Sequence, residues 1–246
     1  MDKVYKIQIT PSEPHRTADK IKLREVILGG QDGVVNTLGV LLGIAVASND
    51  LRIILAGGFA AAFAESISMA AVAYTSTRSQ QSLYEGELIK EKREIKELAE
   101  KEKEEIRDLY RQKGFSGDLL DQVVDKITSD EEVWLHEMLR AELNLEPIEI
   151  KHAFLSSAVV GIAAIIGSLI PLVPFLLLIF FPISIGQAIL VSLGISALTL
   201  FIVGAYKARI TVGDWKTSGA EIAVIGIVSA LVGYVIGYLF KAPASS

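Results

Sequence analysis

The sequence predicts an all-α integral membrane protein: five transmembrane helices, with a water-facing helical domain inserted between the second and third. Three observations carry this. The 246 residues are 51% hydrophobic with a mean hydropathy of +0.43, too apolar for an ordinary soluble domain. Long stretches hold no charge at all, notably Ala153 to Tyr206 and residues 222–240. About 20 apolar residues in a helix rising 1.5 Å each cross a hydrocarbon core of about 30 Å. The charges are also segregated: residues 79–151 hold 20 of the 29 acids but only 12 of the 24 bases. A polyanionic insert argues for cations and against nucleic acid as partner. The absence of cysteine excludes disulfides and thiolate sites, so any metal must use carboxylate, imidazole, thioether or backbone oxygen.

Residues 1–24 are polar and basic, and no apolar run follows the start. They read as a cytoplasmic tail rather than a cleaved signal. Residues 25–78 hold the first two spans. The first runs from Glu25 to Ser48 and contains Gly29-Gly30-Gln31-Asp32-Gly33. If that cluster were a loop capped by Asp32, only about 16 apolar residues would remain, short of the usual 17–25. Asp32 is therefore expected inside the span. Asn49-Asp50-Leu51-Arg52 reads as a tight turn, and the second span follows from Ile53 to Thr77. With no proline, one helix is expected to continue as far as Lys113.

Residues 79–151 form the acidic domain, with a turn at Lys113-Gly114-Phe115. Residues 152–246 hold three more spans: Ala153–Phe175, Ile185–Tyr206 and Thr217–Phe240. With five spans, the tail, the insert and the 207–216 loop share one side, which carries nearly all the Lys and Arg. The positive-inside rule places that side in the cytoplasm. Gly39-x-x-x-Gly43 and Gly233-x-x-x-Gly237 are spacings that allow close helix packing or dimerisation.

Glu65 is the only charge between residues 53 and 77. An ionisable group at that depth costs about 2.5–3.5 kcal/mol on insertion scales, which marks it as a functional candidate. Counting from Arg24 and Arg78, Asp32 and Met69 lie roughly 12–14 Å deep and Glu65 about 20 Å deep. Asp32 and Asn36 are spaced i,i+4, as are Glu65 and Met69, so each helix offers two ligand-capable groups on one face. Two carboxylates, an amide and a thioether suit a borderline divalent transition metal better than Mg²⁺ or Ca²⁺. The bland alternatives are a protonated, hydrogen-bonded Glu65 and a core-filling Met69.

In the insert, Glu91, Glu94, Glu102 and Glu105 form two E-x-x-E pairs separated by 11 residues, almost three turns. On one continuous helix all four lie on one stripe. Lys92, Lys96, Lys103 and Arg107 form another, so the acidic stripe is expected to lack neutralisation on its own face. Met138 and Glu142, also i,i+4, could close a metal site there. A solvated Glu/Lys-rich helix is the competing reading. His136, beside Trp134, reads as a packing residue more readily than as a ligand. Glu149-Ile150-Lys151-His152 is a single copy of the E-x-x-H that di-iron bundles use twice. No hydrolase motif or phosphate-binding glycine loop is present, so the chain is not expected to be an enzyme.

Several of these stretches together resemble the vacuolar iron transporter family, in a prokaryotic-type member. They are Gln31-Asp32-Gly33-Val34-Val35-Asn36-Thr37, Ser66-Ile67-Ser68-Met69-Ala70-Ala71 and Ser79-Gln80-Gln81. Asp108-Leu109-Tyr110-Arg111-Gln112-Lys113-Gly114 and Met138-Leu139-Arg140-Ala141-Glu142-Leu143 complete the set. The resemblance implies a homodimer of five-span subunits with a path near the subunit interface and exchange of metal against protons. It also implies a cytoplasmic metal-binding domain continuing from the second span. It places Asp32 and Met69 on the family's intramembrane ligand positions. Glu91, Glu94, Glu102, Glu105, Met138 and Glu142 fall on those of the cytoplasmic domain. Two departures stand out: the second-span glutamate that the family often has falls on Ala61, with Glu65 one turn later, and a cytoplasmic methionine is replaced by Leu139.

The expected function is proton-coupled export of Fe²⁺ from the cytoplasm, for detoxification or storage, with Mn²⁺ as a further cargo. Zn²⁺ and Co²⁺ are other ions the sites could bind, and no resident cofactor is required. The expected membrane is the cell membrane in a prokaryote or the vacuolar membrane in a eukaryote. The alternatives are a membrane-anchored metal buffer or ferroxidase without transport, and a structural dimer with a charged coiled coil.

Overall fold

The computed structural model describes residues 14–143, 145, 150–211 and 213–241, and side chains from residue 23 onward except 150–152. Every regular element among them is helical, and the chain forms two compact units, Met1–Ala73 with Leu155–Ser246, and Tyr74–Phe154.

The first unit contains α1 (Pro14–Ser48), the start of α2 (Leu51–Glu97), α6 (Ile150–Leu177), α7 (Ile185–Ile210) and α8 (Trp215–Leu239). Five helices are long and apolar enough to cross a membrane, with spans at Leu23–Ser48, within Leu51–Glu97, and at Ala153–Leu177, Ile185–Ile210 and Trp215–Leu239. In hydrocarbon a helix satisfies its own backbone polar groups, which is why uncharged stretches of this length become unbroken helices. The Gly29–Gly33 cluster is helical and interior to α1, as expected from the length needed to span. Asn49 takes a left-handed φ of +48°, and Asp50 then accepts from the N–H of Arg52 (2.7 Å) to start α2. Ser184 opens α7 with a reciprocal capping box with Gln187, and Asp214 caps α8.

Small residues let these helices approach closely. A Cβ on Gly233 would lie 2.0 Å from the carbonyl oxygen of Gly39, and one on Gly237 would lie 2.2 Å from that of Gly43. The two glycine motifs therefore pack α1 against α8 within one subunit and do not need a second copy. Leu41, Ile54, Leu172 and Phe175 form the main buried cluster of this unit.

The second unit contains the rest of α2, α3 (Ala99–Gln112), α4 (Gly117–Thr128), α5 (Glu131–Glu137) and a π-helical turn at Met138–Glu142. Its core is Ile95, Ile106, Leu120, Val124, Trp134 and Met138. The helix expected to run unbroken to Lys113 instead ends at Glu97 and restarts at Ala99. Leu98 between them leaves helical geometry at φ −129°, ψ 33°. A straight helix would hold Ile95 and Ile106 about 16 Å apart along its axis. Bringing both into one core with Trp134 and Met138 requires the change of direction. Burial of each such side chain is worth about 1.5–3 kcal/mol, more than the helical geometry lost at one residue. Gly114, with φ +96°, supplies the expected turn after α3.

Lys103 bridges α3 to Asp125 of α4 at 2.7 Å, and the Tyr110 hydroxyl donates to Glu137 of α5 at 2.9 Å.

Candidate metal centre

Two groups of oxygen ligands occur, one in each unit. In the first unit, the carboxyl of Glu65 on α2 comes within hydrogen-bonding reach of Asp32 and Asn36 on α1. The i,i+4 spacing on α1 puts its two groups one above the other, and α2 presents Glu65 to both. Glu65, Asn36, Thr37, Val40, Ala61, Ala64 and Ser68 line a cleft of about 310 Å³. Two carboxylates this close need a proton or a cation between them. Neither residues 25–51 nor residues 53–77 contain Lys or Arg, so no base shares their stretches.

Met69 is half-buried one turn from Glu65 and does not line the cleft. Ala61 does line it, so Glu65 and the Ala61 position share one wall, separated by one helical turn of about 6 Å.

In the second unit, one carboxylate oxygen from each of Glu91, Glu94 and Glu102 lies within 4.8 Å of the others. On the straight helix the sequence suggested, Glu91 and Glu102 would be about 16 Å apart and could share only a stripe. The break at Leu98 converts that stripe into a cluster. Glu91 and Glu102 are only 3% and 1% exposed, and among the described residues neither Glu91 Oε2 nor either oxygen of Glu102 has a hydrogen-bond partner. Burial pushes both carboxyls above the ordinary glutamate value, with Glu142 the next contributor at Glu91 and Glu105 at Glu102. Glu142 is itself raised by burial of its carboxyl and by Glu105 and Glu102, although the residue as a whole is open to solvent. Buried carboxylates crowded together in this way are suited to taking up protons or a hard cation.

Two expectations need correction here, the lack of bases and the packing role of His136. The acidic group is not free of bases: Lys90 approaches Glu91 and Glu94 at 3.7 Å each, and Lys101 lies 3.7 Å from Glu102 and 2.8 Å from Glu105. Lys90 with Glu94 and Lys101 with Glu105 are both i,i+4 pairs on their own helices, so the acidic face carries its own bases. Met138 is 1% exposed inside the apolar core, against Ile95, Ile106 and Trp134, because the π-helical turn and the Leu98 break close that core around it. His136 is exposed and so is not a packing residue; the buried neighbour is Trp134, and His136 is not part of the acid cluster. Lys96, Lys103 and Arg107 do turn away as expected, toward Glu131, Asp125 and Asp121. Glu149 and the side chain of His152 lie outside the described residues.

Spacing alone did not single out Thr37 or Ser68. Both sit inside the quoted motifs, but their place in the cleft depends on which faces α1 and α2 turn to one another.

The fold and the two oxygen-rich groups define a polytopic membrane protein built to handle cations. The chain belongs to the VIT family, whose model matches residues 23–238. It is 30% identical over 242 residues to "Vacuolar iron transporter 1" of Arabidopsis thaliana, covering 95% of each chain. It is 30% identical over 222 residues to "Vacuolar iron transporter 1" of Tulipa gesneriana, covering 90% of this chain and 88% of that one. Similarity extends to "Protein CCC1" of Saccharomyces cerevisiae, 25% identical over 223 residues, or 87% of this chain and 68% of that one.

Proposed function

We propose that this protein exports Fe²⁺, and also Mn²⁺, from the cytoplasm across the membrane in exchange for protons. Transport of a divalent metal ion, rather than catalysis, is what its family and its relatives' names support. The observation that carries the reading is the meeting of Asp32, Asn36 and Glu65 between membrane-spanning helices, with Asn36 and Glu65 lining the cleft and no Lys or Arg in residues 25–51 or 53–77. A cation or a proton satisfies that pair, but the two compete for the same oxygens. Competition of this kind is the physical basis of exchange: burial favours the protonated carboxyl and metal binding favours the ionised one. Glu91, Glu94 and Glu102, with Glu105 and Glu142 beside them, collect the ion in a cytoplasmic domain. Met69 and Met138 are secondary in this scheme, and a homodimer is the expected working unit.

The test is flux into proteoliposomes with Fe²⁺, Mn²⁺ and Zn²⁺ compared, with and without an imposed pH gradient. The proposal expects Fe²⁺ and Mn²⁺ flux that follows the gradient, with movement of protons in the opposite sense. Saturable binding or oxygen consumption without flux would favour a membrane-anchored buffer or ferroxidase instead.

A further inference from the structure

Helical serines and threonines commonly satisfy their hydroxyls on the carbonyl one turn back. In this chain Ser48 donates to Ile44, Ser66 to Ala62, Thr128 to Val124 and Thr211 to Lys207, at 2.8–3.0 Å. Thr37 does not. It is fully buried, and its Oγ1 has no hydrogen-bond partner among the described residues.

The reason is visible one turn back. The carbonyl of Gly33, which Thr37 would use, accepts instead from Ser168 of α6 at 3.2 Å. Ser168 gets there because Gly33 has no side chain: a Cβ at that position would lie 2.2 Å from the Ala164 carbonyl and 2.9 Å from Ser168 Oγ. Thr37 lines the same cleft as Asn36 and Glu65. An orphan buried hydroxyl costs about 1–3 kcal/mol, so its retention at the wall of a cleft points to a partner that arrives there.

We propose that Thr37 Oγ1 is a further oxygen ligand for the carried cation or for a water of its shell, and that Ser168 is a positioning residue that holds Gly33 occupied so that Thr37 stays free. The lone pairs of a hydroxyl suit the same hard or borderline divalent ion as Asp32, Asn36 and Glu65. The inference rests on the transport reading and adds a ligand and its support to that site.

The experiment compares Mn²⁺ flux in proteoliposomes for wild type, Thr37→Val, Thr37→Ser, Ser168→Ala and the Thr37→Val/Ser168→Ala double variant. Valine keeps the shape and removes the oxygen. Thr37→Val is expected to raise the half-saturating Mn²⁺ concentration by roughly tenfold, the scale of one hydrogen bond or ligand contact to a charged group. Thr37→Ser is expected to stay within about twofold of wild type. Ser168→Ala frees the Gly33 carbonyl for Thr37 and shifts the value a few-fold in the same direction, but has no further effect once Thr37 is valine. Melting of the metal-free protein in detergent separates this from a packing role: Thr37→Val is expected to be at least as stable as wild type, because an orphan polar group is gone.

Wild-type half-saturation in Thr37→Val, or an equal Ser168→Ala effect in both backgrounds, overturns the assignment. Absence of flux in the wild type overturns the transport reading instead. Equilibrium Mn²⁺ binding to Thr37→Val, weakened or unchanged, then decides the ligand assignment separately.

Discussion

The two oxygen-rich groups solve opposite problems. In the spanning unit, Asp32, Asn36 and Glu65 come from two helices that continue unbroken through the site, and no lysine or arginine shares their stretches. In the acidic unit, Glu91, Glu94 and Glu102 come from two helices joined at a break, and Lys90 and Lys101 stand at 3.7 Å. A cluster beside exposed lysines can borrow their ammonium groups when no metal is present. A membrane cleft cannot, so its charge must be met by a proton or by the ion itself. We propose that the acidic group holds the ion and the cleft exchanges it.

The largest expected effect separates them. Asp32→Asn should lower metal flux by roughly 100-fold or more while metal binding at the acidic cluster stays within about twofold, measured on the same purified protein. Glu102→Gln should do the reverse in kind: metal affinity of the acidic cluster falls by about 10- to 100-fold, and flux at saturating metal changes little.

A pH dependence follows from the raised carboxyls of Glu91, Glu102 and Glu142. Their folded-state pKa values lie above the ordinary 4.5, so the folded unit holds more protons than the unfolded chain. The stability they contribute is fully present below pH 4.5 and is lost as pH rises through the folded values. Fluorescence of buried Trp134, in a Trp215→Phe background that leaves it the sole tryptophan, should report a metal-free domain that loosens from acid to neutral pH. Added Mn²⁺ should flatten that dependence. The smallest effect concerns the bases: Lys90→Ala or Lys101→Ala should tighten metal binding at neutral pH by about two- to fivefold, as expected for exposed charges. Unchanged affinity in both would show that the lysines do not substitute for the metal.

Much of the spanning unit was legible in the sequence because its rule is simple. Uncharged length becomes helix, and Asn49-Asp50-Leu51-Arg52 reads as the turn between the first two spans. Glu65 was legible as an expense that only function or a hydrogen bond explains, and the i,i+4 partners put Asn36 beside Asp32. The break at Leu98 was not legible. It lies in Glu97-Leu98-Ala99-Glu100, which has no glycine or proline and good helix propensity throughout. What bends the chain is the shared burial of Ile95, Ile106, Trp134 and Met138, residues up to 43 positions apart. That long-range packing also took Met138 into the core. Thr37 was hidden for a similar reason: its free hydroxyl depends on Ser168, 131 residues away.

In the transport we propose, Glu65 carries the ion through the membrane. Its most direct test is Mn²⁺ flux by Glu65→Gln in proteoliposomes under a pH gradient, with binding to the acidic cluster measured in parallel. Flux is expected to be abolished while that binding is retained. Flux equal to wild type in Glu65→Gln would contradict it.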